Sequence, residues 1–374
     1  MSEYRFAIVG AGIAGASAGY HLASAGPTLL LERESQPGYH STGRSAALYT
    51  ETYGNRVIRA LTIASRPFFE APPPGFTEHP LLTPRGTLVI ARGDQRAKLD
   101  AALAESKAIL PSVEGVDAAR AAALCPALRP GYVASAFYEE DARDMDVHAI
   151  HQGYLRGFRA AGGKLVCDAE VTRLARDGAG WKIETRAGAF TADVVINAAG
   201  AWADVLAHIA GAKPIGLVPK RRTAFTIEPP AASGFRGWPA VIDVDEQFYW
   251  KPDAGQLILS PADETPVAPQ DIQPEELDIA ICVDRVEQAS TLAIRRVLRK
   301  WAGLRSFVKD KTPVAGFAPD APGFFWLAGQ GGYGIMTSPA MGRVAAALAA
   351  GKAMPADIAA HGVSATDLAP QRLA

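Results

Sequence analysis

YRFAIVGAGIAGASAGYHLASAG, residues 4–26, carries the first decision about this chain. Tyr4 to Val9 has the length and apolar run of a buried strand, and Ala14 to Ala25 continues as a helix of small residues. Between them Gly10, Gly12 and Gly15 spell GxGxxG, with Ala11, Ile13 and Ala14 in the gaps. Between a strand and a helix, Gly10 permits the tight turn, Gly12 lets main chain approach a pyrophosphate, and Gly15 lets helix and strand pack closely. A second strand, TLLLE, ends at Glu32, close to the spacing at which an acid meets a ribose hydroxyl. That acid favours a free 2′-hydroxyl, as in NAD or the adenosine half of FAD. The turn does not choose between the two, and a ligand-free strand-to-helix turn is the bland alternative.

The 374 residues, 48% hydrophobic, suffice for a large core and two domains. Formal net charge is -1 with acids and bases mixed, which excludes the basic stripe of a nucleic-acid binder. Cys125, Cys167 and Cys282 are far apart and form neither a CxxC pair nor a metal cluster, so free thiols in a reducing cytoplasm are expected, with no metal. The start is glycine-punctuated and follows Glu3, unlike a signal peptide, and no stretch reaches the length of a membrane span.

Beyond Glu32, QPGYHSTGRSAALYTETYGN reads as a loop, and NRVIRALTIASRPFFE as a helix ended by the prolines at 72–74. RGTLVIAR alternates as a strand, and DQRAKLDAALAESKAIL, DAARAAALCPAL and DVHAIHQGYLRGFRAAGG have helical spacing. KLVCDAEVTRLAR, WKIETRAG and FTADVVINAAG are three further expected strands. From Lys220 long alternating strands follow, RRTAFTIEP, AVIDVDEQFYWKPD and QLILSPA, and then a helix, EELDIAICVDRVEQA. WAGLRSFV and GFFWLAG close the strand series before the helix SPAMGRVAAALAAG. The expected fold class is α/β, α+β overall: a Rossmann-like dinucleotide domain and a second, mostly antiparallel sheet domain. The nucleotide domain takes residues 1–83, 144–217 and 298–374, and the substrate domain 84–143 and 218–297. A nicotinamide dehydrogenase usually completes its nucleotide domain in one stretch, so the interruption favours FAD.

Two later segments bear on the cofactor. VVINAAGAWA puts small residues, Ala199 and Gly200 among them, at a strand end where main chain lies close to a nucleotide; a plain small-residue turn is the other reading. WLAGQGGYGIMTSPAMG crowds Gly329, Gly331, Gly332 and Gly334 before a helix near Thr337, whose N-terminus offers free amides and a positive dipole end. Such donors suit the negative charge that a flavin gains on reduction. Arg222 and Arg305 each lie in a strand of mostly apolar neighbours, where arginine is costly to bury alone, and its planar fork suits a carboxylate. An internal salt bridge or an edge position would also account for either.

GAGIAGAS with Glu32, STGRSAA, NAAGAWA and GQGGYGI together resemble the D-amino-acid oxidase family of FAD-dependent oxidoreductases across essentially the whole chain. QPGYHSTGRSAA, LVPKRR, WAGLRSFV and FFWLAGQGGYGI further resemble its bacterial D-arginine dehydrogenase branch. The resemblance implies FAD lying between two domains. It places Arg33, Ser41, Thr42, Arg44, Ser45, Ala46 and Ala47 along the pyrophosphate, ribityl and flavin, and Val171 at adenine. It sets Gly200 near the pyrophosphate and Gly329, Gly332, Tyr333, Gly334, Ile335 and Thr337 near the flavin. Covalent members use a cysteine or histidine tether; Cys282, the last cysteine, precedes the flavin turn, so noncovalent FAD is expected.

For the substrate, the resemblance implies carboxylate binding by Arg222 and Arg305, pocket phenols at Tyr53 and Tyr249, and an amine-accepting carbonyl at Gly332. His40, His148 and His151 are not assigned as bases. Thr87 stands where the arginine-oxidising branch has an acid, Leu48 where it has a histidine, and Met336 where it has a glutamine. All three remove polar capacity, so a D-amino acid with a neutral or apolar side chain is expected over D-arginine. Sarcosine-type N-methyl amino acid oxidation, 2-hydroxy-acid dehydrogenation and a non-catalytic dinucleotide-binding accessory subunit are the alternatives. The electron acceptor, whether oxygen, quinone or a dye-like carrier, stays open.

Overall fold

The computed structural model describes residues 2–229 and 234–373. Tyr4–Val9 lies parallel between Thr28–Leu31 and Gly188–Asn197. Lys164–Val166 extends the layer on one side and Phe324–Ala328 on the other. All four residues of Thr28–Leu31 are buried, as a parallel strand covered on both faces requires. Gly188–Asn197 serves twice: its second half joins the parallel layer, and its first half pairs antiparallel with Gly180–Thr185. Val171–Asp177 completes that meander, and Val314–Phe317 pairs antiparallel with Phe324–Ala328.

The glycine turn is built by close approach. Gly10 has φ +105°, and a Cβ there would lie 2.4 Å from the Ala198 carbonyl oxygen. A Cβ on Gly15 would lie 1.8 Å from the Gly10 oxygen, which seats the helix Ile13–Leu22 against the end of its strand. The helix Ser338–Ala349 meets the first helix backbone to backbone, where a Cβ on Gly342 would stand 2.8 Å from Ser17. This is a Rossmann-like domain whose strands come from the beginning, middle and end of the chain.

The second sheet has eight strands. Their order is Val297–Phe307, Val218–Ile227, Gln256–Ser260, Tyr249–Asp253, Ala240–Asp243, Thr87–Ala91, Ser135–Glu139 and Glu114–Val116. Ala240–Asp243 runs parallel to Thr87–Ala91, and the other pairings are antiparallel. Ala121, Cys125, Ile279, Cys282 and Val286, from the helices Ala118–Leu124 and Glu276–Ala289 and the cap between, share a buried cluster with Leu88, Val241, Trp250 and Leu259. A small sheet of Leu48–Tyr49, Arg143–Met145 and Leu82–Pro84 sits where the chain passes between the two domains.

Three local expectations change. KLVCDAEVTRLAR is two strands, Lys164–Val166 and Val171–Asp177, separated where Asp168 takes φ 51°. AVIDVDEQFYWKPD is a hairpin, because Asp243 turns the chain by accepting the amides of Asp245 (3.0 Å) and Gln247 (3.3 Å). Val297–Phe307 pairs along its whole length with Val218–Ile227, so by hydrogen bonding it extends the second sheet although it falls in the third expected nucleotide-domain piece. Cys125 and Cys282 are buried and Cys167 partly so, all unpaired. Among the described residues no helix is long and apolar enough to cross a membrane, and no metal-ligating cluster forms.

Candidate active site

A cavity of about 540 Å³ runs along the seam from Glu32 past the glycine turn to the face of the second sheet. That size falls in the range of ligand and cofactor sites.

At its nucleotide end, the buried Glu32 carboxylate accepts the amides of Ala11 (2.9 Å) and Glu34 (3.1 Å). Burial pushes its titration up, and the amides act against that shift. Two accepted bonds leave lone pairs for a diol. Val171, Ala199 and Gly200 line the same end, and the Arg33 guanidinium lies over the Trp202 ring at 4.8 Å. Ala11 and Gly15 are not on the wall. They support it: the Ala11 carbonyl takes a bond from His151 Nε2 (2.8 Å), and Gly15 allows the helix contact.

In the middle, Gly12, Ile13, Ala14, Thr42, Ser45, Ala46 and Ala47 form the lining. The first intrahelical bond runs from Ala16 N to Gly12 O, so the amides before it lie at the open helix end. Thr42 Oγ1 accepts the Ile13 amide at 3.0 Å. Ser41 and Arg44 also line the cavity, but their side chains fasten the loop to the second domain. Ser41 Oγ donates to Leu304 O (2.6 Å), and Arg44 Nη1 donates to Ala302 O (3.0 Å) and Ile272 O (3.1 Å).

From the C-terminal turn, Gly332, Gly334, Ile335 and Met336 reach the cavity. Gly329, Tyr333 and Thr337 stand behind it. Thr337 Oγ1 donates to the Tyr333 carbonyl (2.9 Å), and the Tyr333 ring lies 5.1 Å from that of Tyr53. Gln330, which the sequence reading passed over, also lines the cavity, and its buried Nε2 has no protein partner. The orphan amide, the open helix end and the buried acid are the groups that a flavin carbonyl, a pyrophosphate and a ribose would satisfy. The residues present fit FAD.

The remaining expected residues meet at the second sheet: Tyr53, Tyr249, Arg222, Arg305, Leu48 and Thr87 line one continuous wall. Arg222 and Arg305 come from adjacent strands, where Arg222 pairs with Gly303 in the register and Arg305 with Lys220. Arg222 is 8% exposed; its Nη2 bonds Glu264 at 3.2 Å, while its buried Nε has no partner. Burial, and then the Arg305 charge, push its titration down. Among the described residues Arg305 has no acid within 4 Å. A Cβ on Gly332 would stand 2.8 Å from Arg305 Nη1, so the glycine lets main chain lie against the guanidinium. Neighbouring Arg221 differs: it is paired with Asp263, Glu275 and Asp278. One arginine is structurally saturated, and the next two hold charge toward the cavity.

A family model for FAD dependent oxidoreductases, DAO, matches residues 5–348. The N-methyl-L-tryptophan oxidase of Salmonella dublin is 25% identical over 379 residues, which cover 95% of this chain and 97% of that protein. The crystal structure of glycine oxidase from Geobacillus kaustophilus superposes with TM-score 0.81 at 23% identity, over 94% of this chain and 96% of that one. L-amino acid deaminase from Proteus vulgaris gives TM-score 0.82 at 13% identity, over 100% and 97%. The two structural likenesses bear on the fold.

Proposed function

The chain belongs to the DAO family of FAD-dependent oxidoreductases, and from that premise we propose that it oxidises the carbon–nitrogen bond of an α-amino acid whose nitrogen carries a small alkyl group. The observation that carries the amino-acid part is the pair Arg222 and Arg305, buried beside Tyr53 and Tyr249, with one acid, Glu264, on Arg222 and, among the described residues, none within 4 Å of Arg305. Two cations held with one acid between them favour a further anion, and a planar carboxylate fits their forks. The N-alkyl part draws on the relatives named N-methyl-L-tryptophan oxidase, alike along nearly their full length.

Bound FAD supplies a two-electron acceptor for the hydride leaving the carbon next to nitrogen; water then hydrolyses the imine. The protein's own residues bind and orient. Arg222 and Arg305 fix the carboxylate, while the phenols of Tyr53 and Tyr249 supply polar edges and exclude water. The Gly332 carbonyl accepts from the amine. The amine reacts in its neutral form, in which the nitrogen lone pair is free to assist. Positioning does the rest, with no dedicated side-chain base. Glu32 would hold the ribose and the helix end the pyrophosphate. No cysteine lines the cavity, and His40 on its wall is bonded to Glu34 (2.9 Å), which supports noncovalent FAD; acid precipitation should then release the flavin into the supernatant.

A second reading, oxidation of primary D-amino acids with neutral or apolar side chains, draws on Leu48, Thr87 and Met336, none of which offers a charge to a guanidinium. Anaerobic absorbance titration of the yellow protein separates the readings. Bleaching by N-methyl amino acids supports the first, and bleaching by primary D-amino acids alone moves the assignment to the second. Bleaching by 2-hydroxy acids alone discards both, and no bleaching with any of them restores the accessory-subunit reading. Reoxidation by oxygen, quinone or dye then identifies the acceptor class.

A further inference from the structure

We propose that the substrate's side chain is long and mainly apolar, ends in a hydrogen-bond donor, and lies across the second sheet in a chamber that ends at Thr50 and Thr52. The inference rests on the amino-acid reading above and deepens it. The cavity does not stop at Tyr249: Ala102, Val89, Phe137, Ile242, Val244 and Phe248 continue its lining. Strand register shows how. Tyr249 pairs with Ile242, Ile242 with Val89 and Val89 with Phe137, so these four side chains form one row on one face. Three strand spacings separate the first from the last, roughly 14 Å at about 4.8 Å each. In the neighbouring row Ala240 and Thr87 stand side by side and are small, which keeps the channel open. A glycine or alanine side chain would leave most of this apolar wall uncovered.

The far end selects by polarity. Glu139, 2% exposed, accepts from Thr50 Oγ1 (2.9 and 2.8 Å), Thr52 Oγ1 (2.6 Å) and the Glu51 amide (3.3 Å), with no cation within 4 Å among the described residues. A hydroxyl has one proton to give. Thr50 and Thr52 spend theirs on Glu139, so toward the cavity they line they present acceptor lone pairs only. An anionic end finds no free partner: Arg59 is engaged by Glu105 (3.4 Å) and the Thr52 carbonyl (2.9 Å), and Lys251 by Asp144 (2.7 Å), while Glu246, exposed and with no cation within 4 Å among the described residues, adds a further acceptor to the lining. Asp243 is occupied by Gln95 and by the turn it caps. An N–H or O–H at the end of an apolar group, as on indole, matches the chamber.

The test uses the FAD-loaded protein and whichever amine substitution and stereochemistry bleach the flavin. Steady-state kcat/KM is compared for tryptophan, 1-methyltryptophan, leucine and alanine side chains. Tryptophan should exceed alanine by about a hundredfold, and methylation of the indole nitrogen should remove about tenfold. Val89→Trp, which fills the row, should reverse the order so that alanine outpaces tryptophan; unchanged flavin content shows that the variant folds. Alanine equal to or better than tryptophan in the native protein overturns the chamber, and an indifferent methyl overturns the donor requirement. If no amino acid bleaches the flavin, the functional reading falls instead, a result distinct from turnover confined to small side chains.

Discussion

Arg305→Met and Arg221→Met are neighbouring truncations with opposite expected costs. Arg305 has no acid within 4 Å among the described residues and stands beside Arg222, whose titration its charge already depresses. Removing it leaves no carboxylate stranded and relieves a like-charge contact, so the melting temperature should hold or rise. Its loss should be felt by the substrate. A charge-assisted bond contributes about 1.5–3 kcal/mol, and a bidentate fork makes two. Taking about 3–5 kcal/mol for the truncation gives roughly a 10²- to 10³-fold or larger fall in kcat/KM at about 1.4 kcal/mol per decade, carried mainly by KM. Arg221 is 5% exposed and pairs with Asp263 (3.2 Å), Asp278 (2.7 Å) and Glu275. Arg221→Met leaves Asp263 buried without its counter-charge, a loss of about 3–5 kcal/mol in stability, while the folded fraction should keep its KM. The assay is a thermal melt and a substrate titration on each purified variant. A KM within threefold of native for Arg305→Met, or a melt lowered as far as that of Arg221→Met, would refute the division of labour.

Further outcomes are as direct. Gly15→Ala puts a methyl into the Gly10 carbonyl oxygen and should cost about 1–3 kcal/mol of overpacking together with flavin retention, read by flavin-to-protein absorbance ratio. Glu32→Ala should weaken FAD binding by about tenfold or more in a fluorescence titration, since it removes the diol acceptor and frees the Ala11 amide. Burial beside Arg343 holds His21 neutral down to about 4, below its usual 6.5. A depressed base resists charging in the fold, so stability should fall as pH drops from 6.5 toward 4, and His21→Gln should flatten that limb in urea titrations. Glu139 is shifted the other way: burial, against its threonine and amide donors, raises its carboxyl above 4.5. Its contribution is present below 4.5 and lost as pH rises through the raised value, so the stability difference between native protein and Glu139→Gln should narrow toward low pH.

What the sequence made legible was local or chemically conspicuous. Gly10, Gly15 and Glu32 sit within one strand–turn–helix–strand unit, so their spacing carried their geometry. Arg222 and Arg305 stood out because arginine is rare in apolar strands, and the strand register brought them together. Less legible were features made by distance along the chain. Glu139 meets Thr50 and Thr52, far upstream, only through the fold. The apolar row of Val89, Phe137 and Ile242 is assembled from three separate strands, each ordinary when read alone. Gln330 is one polar residue among glycines until its amide is seen to lack a partner. Asp243 misled the reading because period-two alternation continued straight through a turn that its own carboxylate creates.

The doubly used strand Gly188–Asn197 governs when this protein becomes able to hold anything at all. On a ribosome, Tyr4–Val9 meets Thr28–Leu31 early, but its other lateral partner, Gly188–Asn197, is made far later. The outer neighbour, Phe324–Ala328, is made later still. Late pairing of this kind is slow, and a nascent chain meanwhile exposes apolar edges open to misassociation. The inserted second sheet is under the same constraint, since its last strand, Val297–Phe307, also comes late. The cofactor pocket therefore cannot close before these late segments are made, and a chain cut before Phe324 would carry every residue of the glycine turn yet lack the strand and helix that close around it.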